Sequence, residues 1–133
     1  MKRIFYLLLS SILVVACWSN TNSSNTNSNN KQTIHPLVTY IYDGDKEICL
    51  YPDDIATVDG KSGIWYKREK DFYHSDGISL DITTREYIWV EYGSETLIIW
   101  PGTGLVFFGR DNANASFDNP SNDRNGKRCY RKR

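Results

Sequence analysis

The chain has 133 residues, 40% of them hydrophobic and 14% aromatic, and its 16 basic and 16 acidic side chains cancel to a formal net charge of zero. That length leaves room for one small domain. Neither of the two histidines, His35 and His74, sits in HExxH or in an i, i+4 pair, so a zinc centre would have to be assembled wholly by the fold, and no metal or other cofactor is expected.

The first seventeen residues set the compartment. Lys2 and Arg3 open the chain with positive charge, and Ile4 to Val15 is an apolar run of twelve broken only by Ser10 and Ser11. The run is short for a bilayer span and suits a signal-peptide core. It ends in Val14-Val15-Ala16-Cys17, which resembles the lipobox of bacterial lipoproteins, where a small residue precedes the cut and the Cys thiol takes a diacylglycerol. The resemblance implies that residues 1–16 are a cleaved signal peptide and that Cys17 is the lipidation site. Acyl chains there would attach the protein stably to the cell membrane. Trp18 stands where Asp favours retention in the inner membrane, so the resemblance points to the outer one. Asn20 to Asn30 are all Asn, Ser or Thr; such a stretch cannot bury enough surface to fold, and residues 17–33 read as a tether.

Residues 34–110 are the expected folded domain, and their pattern is β throughout. Leu37–Tyr42 is β-branched and aromatic, Asp43-Gly44 is a tight-turn signal, and Glu47–Tyr51 is the returning strand. Pro52-Asp53-Asp54 breaks that pair, Ile55–Val58 is a short strand, Asp59-Gly60 turns again, and Gly63–Lys67 returns. The charged stretch Lys67–Asp71 reads as a loop or an exposed edge before Phe72-Tyr73-His74. After a turn at Ser75-Asp76-Gly77, Ile78, Leu80 and Ile82 alternate with Ser79 and Asp81, the period-two signature of a half-buried strand. Glu86–Tyr92, Glu95–Trp100 and Leu105–Phe108 form a meander joined by Gly93-Ser94 and by Pro101–Gly104. No window from Ile34 to Arg110 sustains a 3.6-residue period. The fold class is therefore all-β, a small antiparallel barrel or a sandwich of about eight short strands.

Small domains often need a covalent staple. With Cys17 lipidated, Cys49 and Cys129 are the remaining thiols in an oxidising compartment and are expected to form a disulfide. Closing a loop of that length would stabilise by roughly 4–5 kcal/mol. Residues 111–133 are polar and turn-rich and read as an irregular, basic tail. Lys31 to Gly109 carries net −6 and Arg110 to the end net +4, with Arg124, Lys127, Arg128, Arg131, Lys132 and Arg133 in the last ten positions. These cations suit folding back on the acidic domain, contact with phosphates of anionic lipid or lipopolysaccharide, or nucleic acid. No base-reading motif accompanies them, and no nucleic-acid partner is expected.

Chemistry is sparse. There is no GxSxG elbow or P-loop, and Gly102-Thr103-Gly104 opens no helix. Asp43, Asp45, Glu47 and Asp54 follow a calcium-loop spacing, but Ile48 fills the place where the turn needs Gly. No catalytic residue is assigned. The aromatic content points instead to recognition, because one side of a period-two strand such as Tyr87–Tyr92 faces outward unless both faces are covered. Trp65, Tyr66, Tyr87, Trp89, Tyr92 and Trp100 are the candidate binding residues, with Tyr and Trp suited to protein interfaces and to stacking on sugars.

Ser62-Gly63-Ile64-Trp65-Tyr66, followed by Phe72-Tyr73 and Asp76-Gly77, resembles segments of the membrane-bound inhibitors of C-type lysozyme, which are small disulfide-closed β-barrel lipoproteins. That resemblance implies a loop holding Ser62 and Tyr66 inserted into a lysozyme cleft; Asp76 stands where that family has a basic residue. The sequence thus reads as a lipid-anchored, non-enzymatic envelope module that binds a protein or glycan. The alternatives are an inhibitor of a lysozyme-type lytic enzyme and a small peptidoglycan-directed hydrolase, which would require two converging carboxylates.

Overall fold

A computed structural model describes residues 33–133; the expected signal peptide, the expected lipidation site Cys17 and residues 18–32 of the expected tether lie outside the described residues. Eight strands follow in order: β1 (Val38–Tyr42), β2 (Lys46–Leu50), β3 (Ile55–Val58), β4 (Lys61–Ser75), β5 (Leu80–Tyr92), β6 (Glu95–Trp100), β7 (Leu105–Phe108) and β8 (Lys127–Arg131), with one short helix, α1 (Arg110–Ala115), before β8. Each strand pairs antiparallel with the next, and β8 pairs with β1 to close the barrel. The architecture is a barrel rather than a sandwich, and closure removes the edges of the barrel wall, leaving open only those of the β4–β5 extension.

Turn chemistry fixes the hairpins. Asp43-Gly44 and Asp59-Gly60 both hold positive φ at two successive residues; Asp59-Gly60 is a two-residue turn between Val58 and Lys61, and Asp43-Gly44-Asp45 a three-residue one between Tyr42 and Lys46. Inside the barrel, Tyr40, Tyr42, Ile48, Leu50, Ala56, Val58, Ile88, Val90, Tyr92, Leu97, Ile99, Val106 and Cys129 form one core. Gly63 admits no side chain there. A Cβ at that position would stand 2.2 Å from the Glu91 carbonyl oxygen on the neighbouring strand.

Three expectations are corrected. First, of the loop or exposed edge expected at Lys67–Asp71 the structure has the edge and no loop: β4 runs unbroken for fifteen residues against the thirteen of β5, in register from Gly63↔Tyr92 to Ser75↔Leu80, and pairs with β3 only as far as Ile64. Beyond the barrel both faces of this hairpin meet solvent or partial cover. Its residues therefore lack the one-sided apolar alternation by which strands are recognised.

Second, the segment after Arg110 is part of the domain. It supplies α1 and then β8, the strand that closes the barrel. Only Cys129 in Lys127–Arg131 is buried, so a single inward position carries the strand and no periodicity can announce it. Two of the tail's cations do fold back on the acidic body, Lys127 to Asp43 at 2.5 Å and Lys132 to Glu47 at 2.7 Å.

Third, the Cys49–Cys129 disulfide is absent, and Cys129 is a buried free thiol. The pleat explains this. Cys129 lies in the barrel core with its register partner Tyr42, whereas Cys49 falls between the inward residues Ile48 and Leu50 and so points to the outside of the wall. Burial pushes the Cys129 thiol up to about 11, which makes it a poor nucleophile at neutral pH.

Candidate binding site at the base of the β4–β5 arm

The first residue of β5 paired with β6 is Ile88, opposite Ile99, and β3 pairs with β4 only as far as Ile64. The rest of the β4–β5 hairpin stands out from the barrel as a two-stranded arm. Directly opposite residues share a face, so Lys67, Glu69, Asp71, Tyr73 and Ser75 continue the inner face, and Tyr66, Arg68, Lys70, Phe72 and His74 continue the outer one.

The outer face at the arm's base is covered by the segment after Arg110. Trp89, Ile98, Trp100, Leu105, Phe107 and Ala113 form a second buried cluster, with Tyr66, Phe72, Tyr87 and Phe117 packed against it. Phe117 is its keystone: the ring lies 5.0 Å from Tyr87 and 5.7 Å from Trp100, both edge-on, and 6.1 Å from Trp89, stacked. The Trp100 indole N–H donates to Ser116 Oγ at 2.8 Å, and that hydroxyl donates to the Ala113 carbonyl at 2.7 Å. A buried polar chain of this kind fixes the segment to one place on the wall.

This packing redistributes the aromatic candidates. Trp89, Tyr92 and Trp100 are buried, so they support the site and do not present a face to a ligand. Tyr92 belongs to the barrel interior, where burial and, after it, the Glu95 carboxylate push its hydroxyl up to about 12. Trp65 is half-buried against the core, its indole N–H donating to the Tyr51 carbonyl at 2.9 Å. Tyr66 and Tyr87 remain partly exposed on the outer face. Ser62 and Tyr66 lie in β4 and not in a loop, and the Ser62–Tyr66 segment does not protrude.

A groove opens beside the unpaired edge of β5. It has a volume of about 670 Å³ and runs between Thr84–Glu86 on the arm and the Pro101–Gly102–Thr103 turn, with Ser121 and Arg128 on its far side. Pattern reading of the sequence missed these residues, since two threonines, a Ser and two arginines spread over four segments leave no motif. The walls offer two guanidiniums, the Glu86 carboxylate and several hydroxyls, backed by the buried side chains of Trp100 and Leu105. The Arg85 guanidinium is held 5.6 Å above the Phe72 ring, and Lys70 sits 5.6 Å from Phe72 and 5.4 Å from Phe117. Resting on aromatic faces keeps these cations ordered at low entropic cost. Thr103 is positioned by its hydroxyl, which donates to the Pro120 carbonyl at 3.0 Å.

The carboxylates that follow a calcium-loop spacing are not gathered. Asp43 and Glu47 are taken by Lys127 and Lys132, and Asp54 lies in the turn at the other end of β2. Glu69 and Glu86 oppose each other across the arm, both exposed, with Lys67 3.3 Å from Glu86. The chain matches no protein-family model, no curated protein and no solved structure.

Proposed function

We propose that this is a lipid-anchored protein of the bacterial envelope, attached at Cys17 and facing from the outer membrane, that works by binding and not by catalysis. Its ligand site is the groove at the base of the arm. The observation that supports this reading most directly is the convergence there of an open strand edge, two guanidiniums and three hydroxyl side chains above the buried Trp100 and Leu105. Few-polar, partly apolar concavities of this size suit a ligand. An unpaired β5 edge adds main-chain donors and acceptors for an extended peptide, and the hydroxyls and guanidiniums equally suit a glycan. The inhibitor alternative loses its geometric basis with Ser62 and Tyr66 inside β4.

The test is photo-cross-linking in intact cells from a benzophenone amino acid at Thr84 or Ser121, with Lys61 on the opposite end of the barrel as control. A discrete adduct from the groove positions, weakened by Arg128→Glu, is expected. Equal labelling from Lys61 would overturn the assignment of the site.

A further inference from the structure

The arm does more than wall the groove, because its far end carries apolar side chains with nothing to cover them. Among the described residues, Tyr73 is 64% exposed, Ile78 96%, Leu80 64% and Ile82 51%. They are contiguous. Tyr73 and Ile82 are directly opposed, Leu80 lies two residues further on the same face opposite Ser75, and Ile78 sits in the turn that joins the strands. In a half-buried strand this alternation would face a core; here it faces water.

We infer that this tip is a second membrane contact, in which Tyr73, Ile78, Leu80 and Ile82 enter the boundary between headgroups and acyl chains of the bilayer that holds Cys17. The inference rests on the lipid-anchor reading proposed above. Direction is the first reason for choosing a lipid surface. The eight strands alternate in direction around the closed barrel, so the start of β1, the end of β8 and the β4–β5 turn all open at one end. The chain running back toward Cys17 thus leaves the barrel from the end to which the arm points. Ile34 and Leu37, just before β1, are exposed at that same end.

Length is the second reason. The eight residues from Leu80 to Tyr87 precede the first β5 residue paired with β6, which at about 3.3 Å per residue gives an arm of roughly 26 Å. If the sixteen steps from Cys17 to Thr33 form a random coil, their reach is about 20–24 Å. The arm and the tether are matched, so the tip meets the surface at the tether's ordinary extension.

Charge and hydrogen bonding are the third. Arg131 and Arg133 are exposed at the exit of β8, where cations can meet lipid phosphates. At the tip, Asp76 Oδ1 accepts from the backbone N–H of Ile78 at 2.8 Å and of Ser79 at 2.7 Å, and Ser75 Oγ accepts from Gly77 N–H. The turn therefore satisfies its own donors, as a backbone leaving water must. The carboxylates of Asp76 and Asp81 and the imidazole of His74 border the apolar patch, which sets the depth at headgroup level and not in the hydrocarbon.

The experiment uses the full acylated chain reconstituted in vesicles of phosphatidylethanolamine and phosphatidylglycerol, with an environment-sensitive fluorophore on Ile78→Cys or, at the opposite end, Ser94→Cys. Quenching by lipids brominated on the acyl chain is expected to be roughly threefold stronger at position 78 than at 94, as for a shallowly inserted apolar side chain. Protein that stays with the vesicles while position 78 is as unquenched as 94 would overturn the tip contact alone. Protein that fails to remain with the vesicles would overturn the anchor reading beneath it. Shielding at position 78 that grows with protein density, without quenching by lipid, would assign the tip to a second copy of this chain and also overturn the inference.

Discussion

The two halves of the β4–β5 hairpin share one ladder and differ in everything around it. Near the barrel, Ile88, Val90 and Tyr92 point into the core while Trp89 on the opposite face is sealed under Phe117, so both faces are dry. Six rungs along the same ladder from Ile88, Tyr73 and Ile82 are as apolar, yet more than half exposed. The β4–β5 ladder itself does not distinguish the halves, although the barrel half also pairs with β3 and β6. Burial does, and it makes one half a structural wall and leaves the other available for an encounter.

The largest expected effect belongs to the sealed half. Trp100→Ala removes the fully buried indole on which Tyr87, Phe72 and Phe117 pack and leaves Ser116 without its donor. It should cost about 3–5 kcal/mol in chemical denaturation. A loss below about 1 kcal/mol would mean that the segment after Arg110 is not fastened to the barrel as described.

An intermediate effect is expected from pH. Burial raises the thiol of Cys129 from an ordinary 9.0 to about 11 and the Tyr92 hydroxyl from 10.0 to about 12; Tyr42 is raised by burial and by its hydrogen bond to Asp59. All three lose protons more readily in the unfolded chain, so their contribution is complete below pH about 9 and is lost as pH climbs through the folded values. The Tm should fall between pH 9 and 11 in thermal scans, and Cys129→Ala should flatten the lower part of that decline. A level Tm up to pH 11 would show that these groups are hydrated in the folded barrel.

The smallest effect should come from the arm. Ile78→Ser together with Leu80→Ser deletes apolar surface that is already in water, and the change in stability should stay within about 0.5 kcal/mol per site. A larger loss in the same denaturation experiment would reveal packing at the tip and would erase the contrast between the halves.

How much of this could be read from the sequence varied with how local the cause was. Asp43-Gly44 and Asp59-Gly60 specify hairpins by backbone chemistry, and Ile55–Val58, Glu95–Trp100 and Leu105–Phe108 fall where the pattern places them. Strand β8 could not be read, since its only buried side chain is Cys129. The groove was equally hidden, because Thr84, Arg85, Ser121 and Arg128 meet only through the closure of β8 and the path of the segment before it.

The sequence alone therefore determined the all-β class, most turns and the alternation that fills the barrel, because these follow from φ preferences and side-chain period. Tertiary structure decided which aromatic faces are covered, that Cys49 and Cys129 lie on opposite sides of one wall, and that a charged stretch is a strand. Each of those depends on what packs across from a residue, and a residue's neighbours in space are not written in its neighbours along the chain.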